Sequence, residues 1–288
     1  MATADGPVFF PDAPGDAGHS RIVVIPVPYD GTSTWAKGAD QGPKAILLAS
    51  EHLEGWDIET GVEVYREGIF TDSPVAGATR PEDLVEAVRA RVGTWLDRGR
   101  FPVVLGGDHS VTIGAVAAQV ERFPDLTVLQ LDAHSDLRET YKGSPYNHAC
   151  VMARVRERCH AVQVGVRSMD REERDRYGTQ DLFFADAICR SPGWMDEVVR
   201  GLGPRVYVTV DLDVFDSAVM PATGTPEPGG LGWYDVVTLL RAVCRSSQVT
   251  GFDVVELCPR PALHACDFLA AKLVYKLLSY RFAEDRHP

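Results

Sequence analysis

The sequence predicts an α/β fold with a parallel sheet, and two features of its pattern support this prediction. About eight short apolar or β-branched runs alternate along the chain with segments of helical periodicity. Such alternation gives right-handed crossovers and a parallel sheet covered by helices on both faces. In addition, four of the runs end in acids or histidines, and open parallel sheets bind ligands at their carboxyl edge. A (β/α)8 barrel fits the same alternation and stays open as the competing architecture.

The predicted elements follow one another along the whole chain. Apolar and β-branched runs predict strands over residues 21–27, 69–70, 103–105, 126–131, 161–166, 182–184, 206–210 and 249–255. Helical spacing predicts helices over residues 42–54, 81–97, 109–122, 148–158, 194–202, 234–244 and 263–280. Pro43 stands at the start of the first helix, where the missing N–H of proline costs nothing. Two long irregular stretches, residues 137–147 and 215–232, follow acidic strand ends, and loops of that length are usually functional.

The chain is predicted to form one domain over residues 1–288. Its length is sufficient for a single large core, and no linker, repeat or low-complexity tract divides it. Residues 1–20 contain Pro11, Pro14, Gly15 and Gly18 with little apolar periodicity. We expect them to form an arm that is either loose or laid over a neighbour.

Composition excludes several classes of protein. The net charge of −12 argues against a nucleic-acid partner, whereas an acidic cleft can concentrate a small cationic substrate. No apolar run approaches the length of a membrane span, and no secretory signal pattern is present, so we expect no membrane partner. The six cysteines form no CxxC pair, which is typical of a reduced cytoplasmic protein.

The segment LQLDAHSD, residues 129–136, carries the most informative pattern. Asp132, His134 and Asp136 alternate with small residues directly after a predicted buried strand. Alternate side chains of an extended backbone point to the same side, so these three can converge. Two carboxylates and an imidazole at one buried point are unfavourable unless a cation or a proton relay holds them. A helix start with an Asp cap and a structural histidine is the alternative.

Three further strand ends carry the same kind of residue. The run RVYVTVDLD ends in Asp211 and Asp213, FPVVLGGDHS ends near His109, and QVTGFDVVE ends in Glu256. Four carboxylates and two imidazoles are thus candidate ligands: His109, Asp132, His134, Asp136, Asp211 and Asp213. Zinc usually takes fewer carboxylates and calcium rarely takes histidine, so the set suits Mn2+, with Fe2+ or Co2+ as substitutes. Six ligands suit two ions that share carboxylates and activate a water between them.

The motifs GGDHS, DAHSD and VDLD, in this order and spacing, resemble the three signatures of the ureohydrolase family of arginases and agmatinases. The resemblance spans nearly the whole chain and implies a three-layer α/β/α sandwich around a mainly parallel eight-stranded sheet. It implies that one manganese ion is held by His109, Asp132, Asp136 and Asp211. The second ion would be held by Asp132, His134, Asp211 and Asp213, so that Asp132 and Asp211 bridge. The family cleaves a guanidinium group to an amine and urea, usually as a homotrimer or homohexamer.

The resemblance also assigns roles to residues near the predicted metals. His148 matches a loop histidine that passes a proton to the departing amine, although a lone loop histidine is otherwise more often structural. Glu256 matches the carboxylate that pairs with the substrate guanidinium, with an N-capping acid as the alternative. Asp136 is expected to hydrogen-bond the attacking water as well. Thr225 matches a loop beside the metals, and a plain turn is an equally good interpretation.

The choice of substrate rests on two loops. Residues 137–147 and 224–230 resemble those of agmatinases, which favours the cleavage of agmatine to putrescine and urea, a step of polyamine biosynthesis. Aminopropylagmatine, guanidinobutyrate, a secondary-metabolite guanidine or arginine are the alternatives with the same chemistry. Ser217 and Asp235 depart from the residues usual in the family, while Arg138 and Lys142 are cations that could bind a substrate carboxylate. A homologue without activity would be expected to lack a ligand, and all six are present.

Overall fold

The computed structural model describes residues 6–286 and contains one eight-stranded sheet. The strands, in chain order, are β1 (Ile22–Val27), β2 (Ile69–Thr71), β3 (Phe101–Gly106), β4 (Leu126–Leu131), β5 (His160–Val166), β6 (Leu182–Phe184), β7 (Arg205–Asp211) and β8 (Gln248–Val255). Their spatial order is β2-β1-β3-β8-β7-β4-β5-β6, and every neighbouring pair is parallel. Within the described chain, β2 and β6 each pair with one strand only, so the sheet is open. The predicted sheet is confirmed and the barrel is excluded.

Helices cover both faces of this sheet. They are α1 (Gly42–Ser50), α2 (Pro81–Asp97), α3 (Val111–Arg122), α4 (Val151–Arg156), α5 (Arg171–Tyr177), α6 (Ala185–Ile188), α7 (Trp194–Gly201), α8 (Trp233–Ser246) and α9 (His264–Ala283). One buried cluster joins α1, α7, α8 and α9 to the sheet, and a second joins α2, α3 and α4 to it. The layers are therefore helix, sheet and helix, as the resemblance implied.

Several predicted helix boundaries need correction. The helix predicted over residues 42–54 ends at Ser50, and the one predicted over 109–122 begins at Val111. The helix predicted over 148–158 is a 3-10 turn, His148–Cys150, followed by the short α4. The start of α3 differs from the prediction because the residues between β3 and this helix form a loop, which the apolar pattern does not reveal.

The N-terminal segment packs on its own domain from residue 9 onward. Phe9 and Phe10 are buried, and the Phe10 ring stacks on Tyr65 at 5.2 Å and on Tyr275 at 5.0 Å between ring centres. The Phe10 N–H donates to Ser50 Oγ at 2.9 Å. The arm was expected to be either loose or laid over a neighbour, whereas Phe9 and Phe10 occupy buried sites on this chain's own domain. Residues 1–5 of the predicted arm lie outside the described residues.

The fold brings the four informative strand ends together. The strands β3, β8, β7 and β4 are consecutive in the middle of the sheet. Because these strands are parallel, their carboxyl ends meet at one edge. The loop after β3 approaches the loop after β1 so closely that a Cβ on Gly107 would lie 1.8 Å from the Tyr29 carbonyl oxygen. In the described part of the chain, no helix is both long and apolar enough to cross a membrane.

Candidate active site

The first group of candidate ligands surrounds His109, which follows β3. Its Nδ1 atom lies 3.1 Å from Asp132 Oδ2, 3.0 Å from Asp136 Oδ2 and 3.4 Å from Asp211 Oδ2. The four side chains come from three different strand ends and are all buried. The two acids that follow β4 and the acid that ends β7 thus converge with the imidazole that follows β3.

The second group shares Asp132 with the first. His134 Nδ1 lies 2.9 Å from Asp213 Oδ2 and 3.6 Å from Asp132 Oδ1. Asp132 therefore turns one oxygen to each histidine, which is the arrangement that a bridging ligand requires. The two groups, His109 with Asp132 and Asp211, and Asp132 with His134 and Asp213, form a candidate binuclear metal site. Asp211 is placed with His109, and its expected bridging role stays a prediction.

The geometry around His109 fits a cation better than a set of hydrogen bonds. Among the residues that the structure describes, no group makes an aligned hydrogen bond to the buried His109 Nδ1, although three carboxylate oxygens lie within 3.4 Å. Its other ring nitrogen, Nε2, lies 2.9 Å from Thr209 Oγ1, whose own hydrogen goes to Asp253 Oδ1 at 2.6 Å. Nε2 must therefore carry a hydrogen and donate it to Thr209. That leaves Nδ1 as an acceptor directed at the point shared with the carboxylates, as in a metal-ligating histidine.

The electrostatics of the site also favour a positive charge. Burial and the charge of the neighbouring Asp132 together raise the pKa of Asp136 to about 7. Burial also raises the pKa of Asp211 well above its ordinary value, together with repulsion from Asp213 and Asp132. Burial lowers the pKa of His109, but the three carboxylates around its Nδ1 outweigh this effect and hold the pKa well above the ordinary value. A cation bound at this point would therefore offset the carboxylate charges that burial makes unfavourable.

Glu256 follows β8 and contributes a carboxylate to the same cleft. Its Oε1 accepts a hydrogen bond from the His109 backbone N–H at 2.8 Å, which ties the acid to the first ligand. Burial raises the pKa of Glu256 well above its ordinary range, and the charge of Asp108 adds to the effect. The acid is buried rather than solvated, and it is held in a position from which it can meet a cationic group in the cleft.

His148 also lines the cleft and is held by Thr32. The Thr32 hydroxyl donates to Asp108 Oδ2 at 2.9 Å and accepts from the His148 backbone N–H at 3.0 Å. His148 Nδ1 lies 3.2 Å from the same oxygen, so Nδ1 carries the hydrogen and Nε2 is left as the proton acceptor. Burial lowers the pKa of His148 to about 4, so the imidazole is neutral near pH 7.

Several residues of the site were not predicted. Asp253 is fully buried and accepts hydrogen bonds from the hydroxyls of Tyr207, Thr209 and Thr112. An acid inside the apolar run GFDVVE was the only signal that could have indicated it. Thr32 stands in an irregular loop and carried no pattern at all.

The cleft extends from the candidate metal site to the surface. It encloses about 200 Å³, which is less than the ~300–1,000 Å³ of typical ligand pockets and suits a small substrate. Thr225 lines the cleft, and its expected role beside the metals stays a prediction. Trp35, which is 82% exposed, lines it as well. The hydroxyl of Ser33 is buried without a hydrogen-bond partner among the described residues, and so is that of Ser135.

Comparisons with known proteins agree with this geometry. The profile of the Arginase family matches residues 20–279. The N(1)-aminopropylagmatine ureohydrolase of Thermus thermophilus is 42% identical over 267 residues, covering 91% of this chain and 91% of its own length. The N(1)-aminopropylagmatine ureohydrolase of Synechocystis is 37% identical over 272 residues, covering 91% and 89%. The crystal structure of the agmatine ureohydrolase of Thermoplasma volcanium superposes with a TM-score of 0.89 at 31% identity, covering 97% and 96%. The matched range contains every candidate ligand.

Proposed function

We propose that this chain, which belongs to the arginase family of amidinohydrolases, hydrolyses a guanidino compound that carries a cationic amine at its far end. Agmatine and N1-aminopropylagmatine are the two candidate substrates. One observation supports the proposal most strongly: two ligand groups that share Asp132 lie in the same cleft as the buried carboxylate of Glu256. The two ligand groups can hold a pair of metal ions, and Glu256 can hold a guanidinium beside them.

The metal pair that we propose is manganese. The ligands would be the six residues predicted from the motifs, and the set is rich in carboxylates with two imidazoles, which Mn2+ accepts. When bound, such a pair supplies a water activated for attack at neutral pH. Asp136 would then hold a proton of that water, because its Oδ2 already faces the shared point near His109.

The remaining chemistry belongs to two side chains of the cleft. Glu256 orients the guanidinium through paired charge-assisted hydrogen bonds, and the guanidinium keeps Glu256 ionised despite its burial. Water adds to the guanidinium carbon, the bond from this carbon to the substituted nitrogen breaks, and urea and an amine form. His148 Nε2 carries the proton to the departing nitrogen, while Thr32 holds the ring by its other nitrogen.

The two candidate substrates differ from arginine in the chemical group at the end away from the guanidinium. Arg138, the loop cation that could bind an α-carboxylate, is engaged by Asp170 at 2.5 Å. A carboxylate at this end would have to displace that acid inside an acidic cleft. Agmatine carries no carboxylate there. N1-aminopropylagmatine is favoured by the names of the relatives that are 42% and 37% identical.

A urea-release assay tests the proposal. Purified protein is supplied with manganese or with a chelator and given agmatine, N1-aminopropylagmatine, 4-guanidinobutyrate and arginine. We expect about two manganese ions per chain and a kcat/KM for the better amine substrate at least about 100-fold above that for arginine. Arginine turnover at an equal rate, or full activity with at most one metal ion per chain, would contradict the proposal. We place the enzyme in the cytoplasm. We also expect a homotrimer or homohexamer, and light scattering of the purified protein can check this oligomeric state.

A further inference from the structure

Two buried glutamines lie behind the carboxylate that the two ligand groups share. Gln130 of β4 and Gln163 of β5 are partners in the register of the sheet, and both are fully buried. The side-chain amide of Gln130 donates to Asp132 Oδ2 at 2.6 Å, and that of Gln163 donates to Gln130 Oε1 at 2.5 Å. The Gln163 amide also donates to the Ser135 backbone carbonyl at 2.7 Å. The two side chains therefore form one chain of hydrogen bonds from β5 to Asp132.

The direction of this chain is fixed by the acceptors at its two ends. The ionised carboxylate of Asp132 and the backbone carbonyl of Ser135 can only accept, so each must face an NH2 group. Gln130 therefore turns its NH2 to the carboxylate and its Oε1 to the NH2 of Gln163. If the Gln130 amide were flipped, two acceptors would meet at one end and two donors at the other. Each glutamine thus has one orientation in which its contacts are favourable.

The amide of Gln130 fixes the plane of the Asp132 carboxylate. Asp132 Oδ2 accepts from this amide and lies 3.1 Å from His109 Nδ1. Asp132 Oδ1 accepts from the His134 backbone N–H at 2.6 Å and lies on the side of the His134 ring. Because each oxygen has one donor, rotation of the carboxylate would break both hydrogen bonds. The remaining lone pair of each oxygen is then available to a cation in one of the two ligand groups.

The other acid that is expected to bridge lacks such a side-chain donor. Asp211 Oδ1 accepts the Asp213 backbone N–H at 2.9 Å, just as Asp132 Oδ1 accepts that of His134. Asp211 Oδ2 lies 3.4 Å from His109 Nδ1, and no side-chain amide or hydroxyl of the described residues is hydrogen-bonded to it. The glutamine chain therefore distinguishes Asp132 from Asp211.

We propose that Gln130 and Gln163 are positioning residues, which hold Asp132 in its bridging orientation before the metal ions bind, and that Gln163 acts only through Gln130. The inference rests on the proposed function, because it concerns the manganese pair proposed above. A neutral amide orients the carboxylate without cancelling its charge, so the charge stays available to both cations. Such support of a ligand by a second residue contributes to metal affinity.

Methionine variants test this inference, because methionine is close to glutamine in size and has no N–H donor. Titration of the metal-depleted proteins with manganese gives the affinity of wild type, Gln130→Met, Gln163→Met and the double variant. Gln130→Met should lower the affinity about 10- to 100-fold. Gln163→Met should lower it about three- to tenfold, because Gln130 keeps its contact to the carboxylate but loses its own support. Circular dichroism checks that each protein is folded at the temperature of the titration.

The double variant separates a positioning role from a general loss of stability. Once Gln130 is replaced, Gln163 has no path to Asp132, so the double variant should bind manganese as Gln130→Met does. Two independent structural defects would instead multiply their effects. Gln163→Met does not contact Asp132, and it tests the inference by itself if Gln130→Met does not fold.

Gln119→Met is the matched control. Gln119 is also fully buried, and its amide donates to the backbone carbonyl of Thr250, outside the cleft. Its replacement should leave the manganese affinity at the wild-type value. Unchanged affinity in Gln163→Met, multiplied effects in the double variant, or an equal loss in the control would overturn the inference. The proposed function would still stand if wild type binds two manganese ions and releases urea. A wild type that binds no manganese pair would overturn both.

Discussion

Two acids of the cleft have backbone conformations that residues other than glycine seldom adopt. Asp136 has a φ of 51° and Glu256 a φ of 65°. Left-handed residues of this kind are unfavourable by about 1–3 kcal/mol each and persist where the surrounding structure holds them. At Glu256 the hydrogen bond to the His109 backbone provides one such constraint. This conformation turns the chain directly after β8 at Glu256 and within the loop after β4 at Asp136, and both residues line the cleft.

Glu256→Gln tests the role of the carboxylate without changing its size. We expect kcat/KM to fall at least about 100-fold, because a charged hydrogen-bond partner of the guanidinium contributes up to about 3 kcal/mol. Metal content should stay the same, since Glu256 is not among the proposed ligands. Activity by urea release and metal content by elemental analysis check both statements. Glu121→Gln, an exposed acid paired with Arg89, is the control, and an active Glu256→Gln enzyme would refute the assignment.

At the scale of secondary structure, the strongest patterns were predicted correctly. The bounds of α2, β4 and β6 agree with the sequence prediction at both ends. Helix α2 combines a first-turn proline with apolar residues at helical spacing, so both its start and its period were visible. Helix α5 was missed because its polar segment REERDRY has no apolar period, and α6 was missed because the four residues ADAI are too few to show one. Helix α5 is stabilised instead by a capping box between Asp170 and Glu173.

The site could be predicted only where a motif marked it. The candidate ligands follow predicted strands, so their common edge followed from the parallel sheet. Contacts between distant segments could not be predicted, because they depend on loop conformation: Thr32 meets His148 across 116 positions, and Thr209 meets His109 across 100. The pairing of Arg138 with Asp170 likewise joins two loops that have no shared pattern.

Arg167, just after β5, holds the loop that follows the last ligand. Its guanidinium donates to six backbone carbonyl oxygens, those of Gly165, Asp213, Val214, Phe215, Glu227 and Pro228. One of these carbonyls belongs to Asp213, which faces His134. The side chain therefore connects the end of β5 to the backbone of a candidate ligand.

Arg167→Lys keeps the charge and removes the planar set of donors. We expect manganese affinity to fall about 10- to 100-fold, the usual effect of losing a residue that supports a ligand. Titration of the metal-depleted protein with manganese measures it. Arg205→Lys, at the exposed pair with Asp125, is the matched control. Unchanged affinity in Arg167→Lys would show that the six hydrogen bonds do not position Asp213.

At the scale of the whole molecule, the buried charges predict how stability depends on pH. Burial and the charge of Asp132 raise the pKa of Asp136 to about 7. Burial lowers the pKa of His134, but Asp213 and Asp132 outweigh it and raise the pKa above the ordinary value. At pH values above its ordinary pKa, each of these two groups is therefore more protonated in the folded chain than in the unfolded chain. Together with Asp211 and Glu256, whose pKa values are also raised, these groups outweigh His148, whose lowered pKa acts in the opposite direction. We therefore expect the stability of the metal-depleted protein to decrease as the pH rises from 5 to 8.

Thermal unfolding with and without metal checks this sign. With a chelator, Tm should be lower at pH 8 than at pH 5. With manganese the order should reverse, because the metal replaces the protons and binds more tightly as they leave. A chelated protein whose Tm rises steadily from pH 5 to pH 8 would contradict the prediction.

The position of β8 has a consequence for the newly synthesised chain. Among the eight strands of the described chain, β8 is synthesised last, yet it lies between β3 and β7 in the centre of the sheet. It divides the other strands into a first half, β2, β1 and β3, and a second half, β7, β4, β5 and β6, and its hydrogen bonds join the two halves. His109 follows a strand of the first half, whereas Asp132, His134, Asp211 and Asp213 follow strands of the second. A nascent chain therefore cannot bring the two sets of candidate ligands together before β8 has been synthesised.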